Sequence, residues 1–303
     1  MTTPLVLAVA GSANLDLVVE VDHHPVTGET VLGGDHARIP GGKGANQAVA
    51  AARLGMEVAF IGRIGDDAAG EQLRDSLADA QVELTHLSVD PEAPSGIAMI
   101  GVDRSGDNAI IVSPGANARL QPAHVAAADG LLQQAAGLLL QLETPLDTVL
   151  AAAEAATGIV VLDPAPAQPL PAELLAAIDV LVPNETELAL LSGQTVDPDD
   201  VESVVAAARS LGVATVVVTL GAAGAVVVTA SSATEIPAPV VSPVDTTAAG
   251  DAFRAALAIG LVSGDTPETA AAFAVRVGAA ATLRAGAQPS LPTRSELEDL
   301  LSP

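Results

Sequence analysis

One lysine, Lys43, stands among 303 residues, and cysteine is absent altogether. Lysine and arginine together number 12 against 37 aspartates and glutamates, for a formal net charge of -25. The acids are near the ordinary share of a globular chain and the bases far below it, so the acidity is a shortage of bases and not an acid-loaded, salt-adapted surface. A polyanion such as DNA or RNA finds little to bind on such a surface. The only aromatic residues are Phe60, Phe253 and Phe273. They provide no set of rings on which bases could stack or over which a lectin-like site could lay a sugar, so a small polar ligand must be held by hydrogen bonds. Lack of cysteine removes disulfides and thiolate metal sites and fits the cytoplasm. Thr215 to Ala233, within the longest uncharged stretch, is interrupted by Gly221 and Gly224 and reads as a buried hairpin, not a membrane span. The opening Met1-Thr2-Thr3-Pro4 has no basic region, and the apolar run after it is cut by Asn14 and Asp16. That segment is expected to be a first strand and not a signal peptide.

Half of the residues are apolar, enough to bury a sizeable core. Short, branched runs at Leu5 to Ala10, Val58 to Gly62, Gly137 to Gln141, Ile159 to Leu162, Asp179 to Val182 and Thr215 to Leu220 are apolar on both faces, as the interior of a parallel sheet requires. Alanine-rich helical segments alternate with them, at Ala45 to Leu54, Ala68 to Ala80, Pro145 to Ala156, Asp199 to Leu211 and Gly250 to Val262. The pattern predicts an α/β fold with helices on both faces of a central, mostly parallel sheet. Asn14 to Pro40 and Ser95 to Ser113 break the alternation with strand-like runs and glycine turns but no helix. They predict a small inserted sheet, placed to act as a lid, a dimer contact, or both.

Four segments have the residue types for chemistry. Gly41-Gly42-Lys43-Gly44-Ala45-Asn46-Gln47 lets backbone approach a ligand at a helix start. It is neither a Walker A loop nor a dinucleotide fingerprint. A glycine-flanked lysine is ordinarily a solvated turn, but its solitude here points to function. Asp245-Thr246-Thr247-Ala248-Ala249-Gly250-Asp251 opens into a helix whose free amides can form an anion hole. Asp251 is either a plain helix cap or a general base for a hydroxyl. Asn184 and Glu187 share a helical face and suit phosphate and the water shell of Mg²⁺, or else form a capping box. Thr219-Leu220-Gly221-Ala222-Ala223-Gly224 could admit a nucleotide against its backbone, or be an ordinary hairpin turn.

Together with Asn14-Leu15-Asp16, Leu142-Glu143, Asp163-Pro164-Ala165-Pro166 and Gly286-Ala287-Gln288-Pro289-Ser290, these segments resemble, in order and spacing over nearly the whole chain, the ribokinase branch of the carbohydrate kinase family that also contains fructokinases and adenosine kinase. The resemblance implies one three-layer catalytic domain over residues 1–303 with its lid at about 14–40 and 95–113. It implies phosphorylation of ribose at O5 by ATP. Asn14, Asp16, Gly42, Lys43, Asn46 and Glu143 would surround the sugar. Asp251 would be the base, and the amides of Ala248, Ala249, Gly250 and Asp251 the anion hole. Asn184, Thr219, Leu220, Gly221, Ala222, Ala223, Gly224 and Gly250 would bind ATP, with Glu187 acting through Mg²⁺. A K⁺ site would use Asp245, Thr247, Ala281, Arg284, Gly286 and Ser290, and a homodimer would form through the lid.

Two positions depart from the family pattern. Val275 stands where Asn or His often flanks adenine, leaving apolar packing to hold the base. Arg254 follows the Asp251 turn where a small or polar residue is common, and is expected to be a surface charge. The lid segments contain no aromatic ring, which counts against a nucleoside substrate. The few bases of the lid and its approaches, Arg38, Lys43 and Arg104, count less strongly against a sugar phosphate. Deoxyribose and fructose, or a non-catalytic sugar-binding regulator, remain alternatives.

Overall fold

The structure is a computed structural model and describes residues 5–301. In chain order the strands are β1 (Val6–Ala10), β2 (Asn14–Glu20), β3 (His36–Gly41), β4 (Glu57–Gly65), β5 (Leu87–Asp90), β6 (Gly96–Val102), β7 (Asn108–Ser113) and β8 (Gly137–Leu140). They continue with β9 (Ile159–Leu162), β10 (Val180–Leu181), β11 (Thr215–Thr219), β12 (Ala225–Thr229) and β13 (Ala233–Ile236). Nine of them form one sheet in the order β13-β12-β11-β10-β9-β8-β1-β4-β5. Pairing is parallel from β11 through β5 and antiparallel in β11-β12-β13. The expected mostly parallel α/β architecture is therefore present.

Side-chain alternation along each strand divides the core in two. On β1, Leu7 and Val9 face one apolar cluster while Ala8 and Ala10 face the other, and β8 and β9 divide in the same way. Helices Lys43–Arg53, Ala249–Val262 and Pro267–Ala281 cover the first face, and Leu146–Ala155 and Val201–Ser210 the second. The alanine content lets helices approach closely. A β-carbon added to Gly260 would stand 2.7 Å from that of Ala270 on the neighbouring helix. Packing this tight makes even one extra methyl group costly.

The inserted segments form the second sheet, in the order β3-β2-β6-β7. β2 pairs parallel to β6, and both outer pairings are antiparallel. Sequence reading left two edge strands unrecognised. β5 is only four residues long, and β13 alternates exposed and half-buried residues, so neither shows the continuous apolar run of a central strand. Among the described residues, no helix is long and apolar enough to cross a membrane.

Candidate active site

The candidate segments leave the carboxyl ends of the parallel strands: Asn14 beyond β1, Glu143 beyond β8, Asp163 beyond β9, Asn184 beyond β10 and Leu220 beyond β11. Ligands of open parallel sheets bind in this crevice. Helices Lys43–Arg53 and Ala249–Val262 lie side by side there and bring their first turns together.

Asn46 Nδ2 donates to Asp251 Oδ2 at 3.0 Å, and Gln47 Nε2 donates to Asp251 Oδ1 at 3.1 Å. Gln47 Nε2 also reaches Asp163 Oδ2 at 3.0 Å, and its own Oε1 accepts from Gln141 at 2.7 Å. Asp251 is thus no helix cap. It is the third helical residue, and Ala248, at φ 60, occupies the cap position without a side-chain bond. A non-glycine residue in that left-handed region is strained backbone of the kind that clusters at functional sites. Asp251 is 6 % exposed, with both oxygens fixed by amides on the adjoining helix. Asn46 Oδ1 is buried without a partner, which leaves an acceptor for a ligand hydroxyl.

Asn14, Asp16, Gly42, Lys43 and Glu143 gather on the lid side of this pair. Glu143 Oε2 accepts from Lys43 N at 2.9 Å and from Ser12 Oγ at 2.5 Å. Asn117, which the sequence reading missed, donates to Asn14 Oδ1 at 2.7 Å and brackets both backbone groups of Ala13. Two glycines are dictated by close approach. A β-carbon on Gly41 would lie 2.3 Å from Asp16 Oδ2, and one on Gly42, whose φ is +87°, 2.6 Å from Asn14 N.

Burial, reinforced by the charges of Glu143 and Asp251, pushes the Asp16 carboxyl up to about 7. Burial also raises Asp163 to about 6, although Arg254 and Lys43 oppose it. Burial disfavours the Lys43 ammonium and Arg254 repels it, yet Asp163, Asp251 and Glu143 outweigh both and hold its pKa above the ordinary value. The lone lysine is a counter-charge inside an acidic pocket, not a solvated turn.

On the other side of Gly250 opens a cavity of about 430 Å³ lined by Thr219, Gly221, Ala222, Gly224, Gly250 and Val275 among others. Leu220 and Ala223, from the same turn, do not form its wall, and neither does Asn184, which is bridged to Thr219. Val275, Phe253 and Val241 make it largely apolar, as suits a planar heterocycle held by packing. Of the amides assigned to an anion hole, that of Ala249 already donates to Thr246 O at 3.2 Å. Those of Gly250 and Asp251, in the first turn, have no intrahelical acceptor.

Asn184 and Glu187 form a full capping box: Glu187 N donates to Asn184 Oδ1 at 2.7 Å, and Asn184 N to Glu187 Oε2 at 2.8 Å. The box does not exhaust the carboxylate, because Oε1 has no protein donor among the described residues. Those residues contain no cluster of three or more His, Cys, Asp and Glu side chains that could hold a metal. A single carboxylate with a free oxygen fits Mg²⁺ that arrives with nucleotide phosphates and keeps its waters.

Arg254 is not a surface charge. It is 5 % exposed, with Nε 3.0 Å from Asp163 Oδ1 and Nη2 3.5 Å from Glu187 Oε2. Nε and Nη2 both donate to Val182 O, at 3.2 and 2.9 Å.

Asp245 ties two loops together. Its Oδ1 accepts from Thr247 N at 2.9 Å and Thr247 Oγ1 at 2.6 Å, and its Oδ2 from Gly286 N at 2.8 Å. Val244 and Asp245 amides also donate to Thr282 O, near Ala281. Ser290 Oγ donates to Ala287 O, while the Arg284 side chain pairs with Glu296 at 2.8 Å, so only the arginine backbone is left to face this loop pair.

Residues 6–294 match the pfkB family carbohydrate kinase profile. The chain belongs to this family. It is 41 % identical over 301 residues to a ribokinase of Haemophilus influenzae, covering 97 % of this chain and 98 % of that protein. It is 37 % identical to a deoxyribokinase of Salmonella typhi, with 98 % of each covered. The solved structure of Arabidopsis thaliana ribokinase complexed with ribose and ATP superposes with a TM-score of 0.89 at 34 % identity, covering 99 % of both chains. Within this carbohydrate kinase, Ser12, Asn117, Gln141 and Asp163 are supporting residues that sequence reading did not assign. Each acts through contact with a residue far away in the sequence.

Proposed function

We propose that the protein phosphorylates D-ribose at O5 with ATP, giving D-ribose 5-phosphate and ADP. The observation that supports this most is the place of Asp251, fixed between the polar cluster of Asn14, Asp16, Asn46 and Glu143 and the apolar cavity walled by Gly250. Sugar and nucleotide would meet at this carboxylate. Asp16, Glu143 and Asn46 Oδ1 are acceptors for sugar hydroxyls, and Lys43 balances the acidic charge around them. Asp251 takes the proton of the 5-hydroxyl as O5 attacks the γ-phosphorus. The bond to the β,γ-bridging oxygen breaks, and ADP leaves with the electron pair. The amides of Gly250 and Asp251 and the helix N-terminus stabilise charge on the transferring group. Catalysis of this kind is mainly positioning and electrostatics. Mg²⁺, held through Glu187 and water with Asn184 alongside, would neutralise phosphate charge.

Potassium fits the backbone carbonyls of the loops that Asp245 clasps, with Thr247, Ala281, Arg284, Gly286 and Ser290 around them. The exposed apolar residues Ile110, Ile111 and Val112 of β7 support a homodimer through the lid sheet. A coupled ADP-release assay over ribose, 2-deoxyribose, fructose, fructose 6-phosphate and adenosine tests the reading. Highest kcat/KM with ribose supports it. A preference for 2-deoxyribose would move the assignment to the deoxyribokinase side, and no sugar-dependent ADP release would overturn the kinase reading.

A further inference from the structure

Arg254 is a buried guanidinium that lines neither the sugar cluster nor the nucleotide cavity, yet it lies between the two carboxylates that stand behind them. One hydrogen-bonded and ion-paired chain can be followed through the protein: Glu187, Arg254, Asp163, Gln47, Asp251. Its members come from three helices and the end of β9, so no local sequence feature holds it together. The guanidinium is itself clamped, because Val182 O accepts from Nε and Nη2 at once. Its Nη1 lies under the first turn of the Asp251 helix, where a β-carbon on Gly250 would stand 2.5 Å away.

The geometry also decides which oxygen of Glu187 is free. Asn184 N and Arg254 Nη2 both approach Oε2, so the carboxylate is turned with Oε1 outward. At the other end, Asp163 has no exposure at all and needs a fixed cation beside it to remain an acceptor for Gln47. Gln47 in turn orients Asp251.

We propose that Arg254 is a positioning residue that sets the Glu187 carboxylate and the Asp251 carboxylate in one frame, so that the magnesium end of the nucleotide and the base are aligned by a single buried cation. The proposal rests on the kinase reading above for what Glu187 and Asp251 do. Asp16, Asn14 and Glu143 lie outside the chain, so sugar affinity is not governed by it.

Two variants test it. Arg254→Lys keeps a cation beside Asp163 but cannot reach Val182 O, Asp163 and Glu187 together. Arg254→Gln with Asp163→Asn removes both buried charges and spares the fold an unpaired carboxylate. For both, kcat should fall about 10- to 100-fold, and the Mg²⁺-dependent gain in affinity for the non-hydrolysable analogue AMP-PNP, measured by calorimetry, should fall by about the same factor. Ribose affinity should stay near that of the parent protein. A role confined to stability predicts otherwise: wherever the melting temperature is recovered, kcat and the Mg²⁺ dependence would recover with it. Either folded variant retaining the parent kcat and Mg²⁺-dependent AMP-PNP binding overturns the proposal. The calorimetric readout needs no turnover, so it stands apart from failure of the kinase reading, which would appear as absent ADP release by the parent protein.

Discussion

Asn46 and Asp251 are 205 positions apart in the chain and 3.0 Å apart in space, each in the first turn of its helix. The amide of Asn46 gives one hydrogen to the carboxylate and keeps its oxygen unpartnered. Asp251→Asn should therefore lower kcat by about 10²- to 10⁴-fold, the range for loss of a general base. Ribose binding, followed by calorimetry, should persist. Robust turnover by this variant would remove Asp251 from the role of base.

Asp16 gives a pH dependence with a definite sign. Its carboxyl is raised from 3.8 to about 7 in the folded protein, so between those values the folded state binds more protons than the unfolded chain. Stability contributed by the protonated form is therefore lost as pH rises from about 4 to about 7. Asp16→Asn should raise the stability of the ligand-free protein at pH 8 by roughly 2 to 4 kcal/mol and make little difference near pH 4. Thermal melts across this range measure it. Ribose hydroxyls favour the ionised carboxylate, so ribose binding at pH 6 should release protons, detectable by calorimetry in buffers of different ionisation enthalpy.

Gly41 offers a way to weaken the sugar site without unfolding it. The added carbon of Gly41→Ala meets the tip of the Asp16 side chain, 2.3 Å away, and that tip can rotate aside. Loss of one charge-assisted bond corresponds to about 1.5 to 3 kcal/mol, or roughly 10- to 100-fold in ribose affinity. The KM for ATP should be nearly unchanged. A steady-state comparison of the two KM values decides the matter, and equal increases in both would contradict this placement.

Asp245 shapes the loop before the Asp251 helix through two bonds from Thr247 and holds it to the loop at Gly286 through a third. Asp245→Ala should abolish the rate increase on replacing choline chloride with potassium chloride at constant ionic strength. Potassium stimulation that survives this substitution would move the cation elsewhere.

On β7, Ile111 is 66 % exposed between Ile110 and Val112. If copies of the lid sheet pair through this strand, Ile111→Asp should convert a dimer to a monomer in sedimentation velocity. A sedimentation coefficient unchanged by the substitution would place any dimer contact on another surface.

Much of this architecture could be read in advance, for identifiable reasons. The apolar runs at Val58, Gly137, Ile159 and Thr215 are central parallel strands because burial on both faces keeps their middle positions apolar. The lid segments were legible as strands and glycine turns without helices. Glu187 was visible because its helix begins where β10 ends, and Asp251 because a turn of small residues opens straight into its helix. Arg254 was misread, because an arginine among alanines looks like the solvent side of a helix. Only the fold reveals Asp163 and Val182 O waiting beneath it. Asn117 was silent for a similar reason: its partners Ala13 and Asn14 are more than 100 positions away.

Lys43 has one more consequence. As the chain's sole side-chain amine, it gives amine chemistry a single internal reporter, distinguishable from the α-amino group by peptide mapping. Held protonated by the carboxylates around it, the group is a poor nucleophile while the pocket is formed. Its acylation rate thus follows the opening of this pocket. Any ligand that tightens the carboxylate cluster should slow the labelling, giving a clock for local breathing that requires no engineered probe.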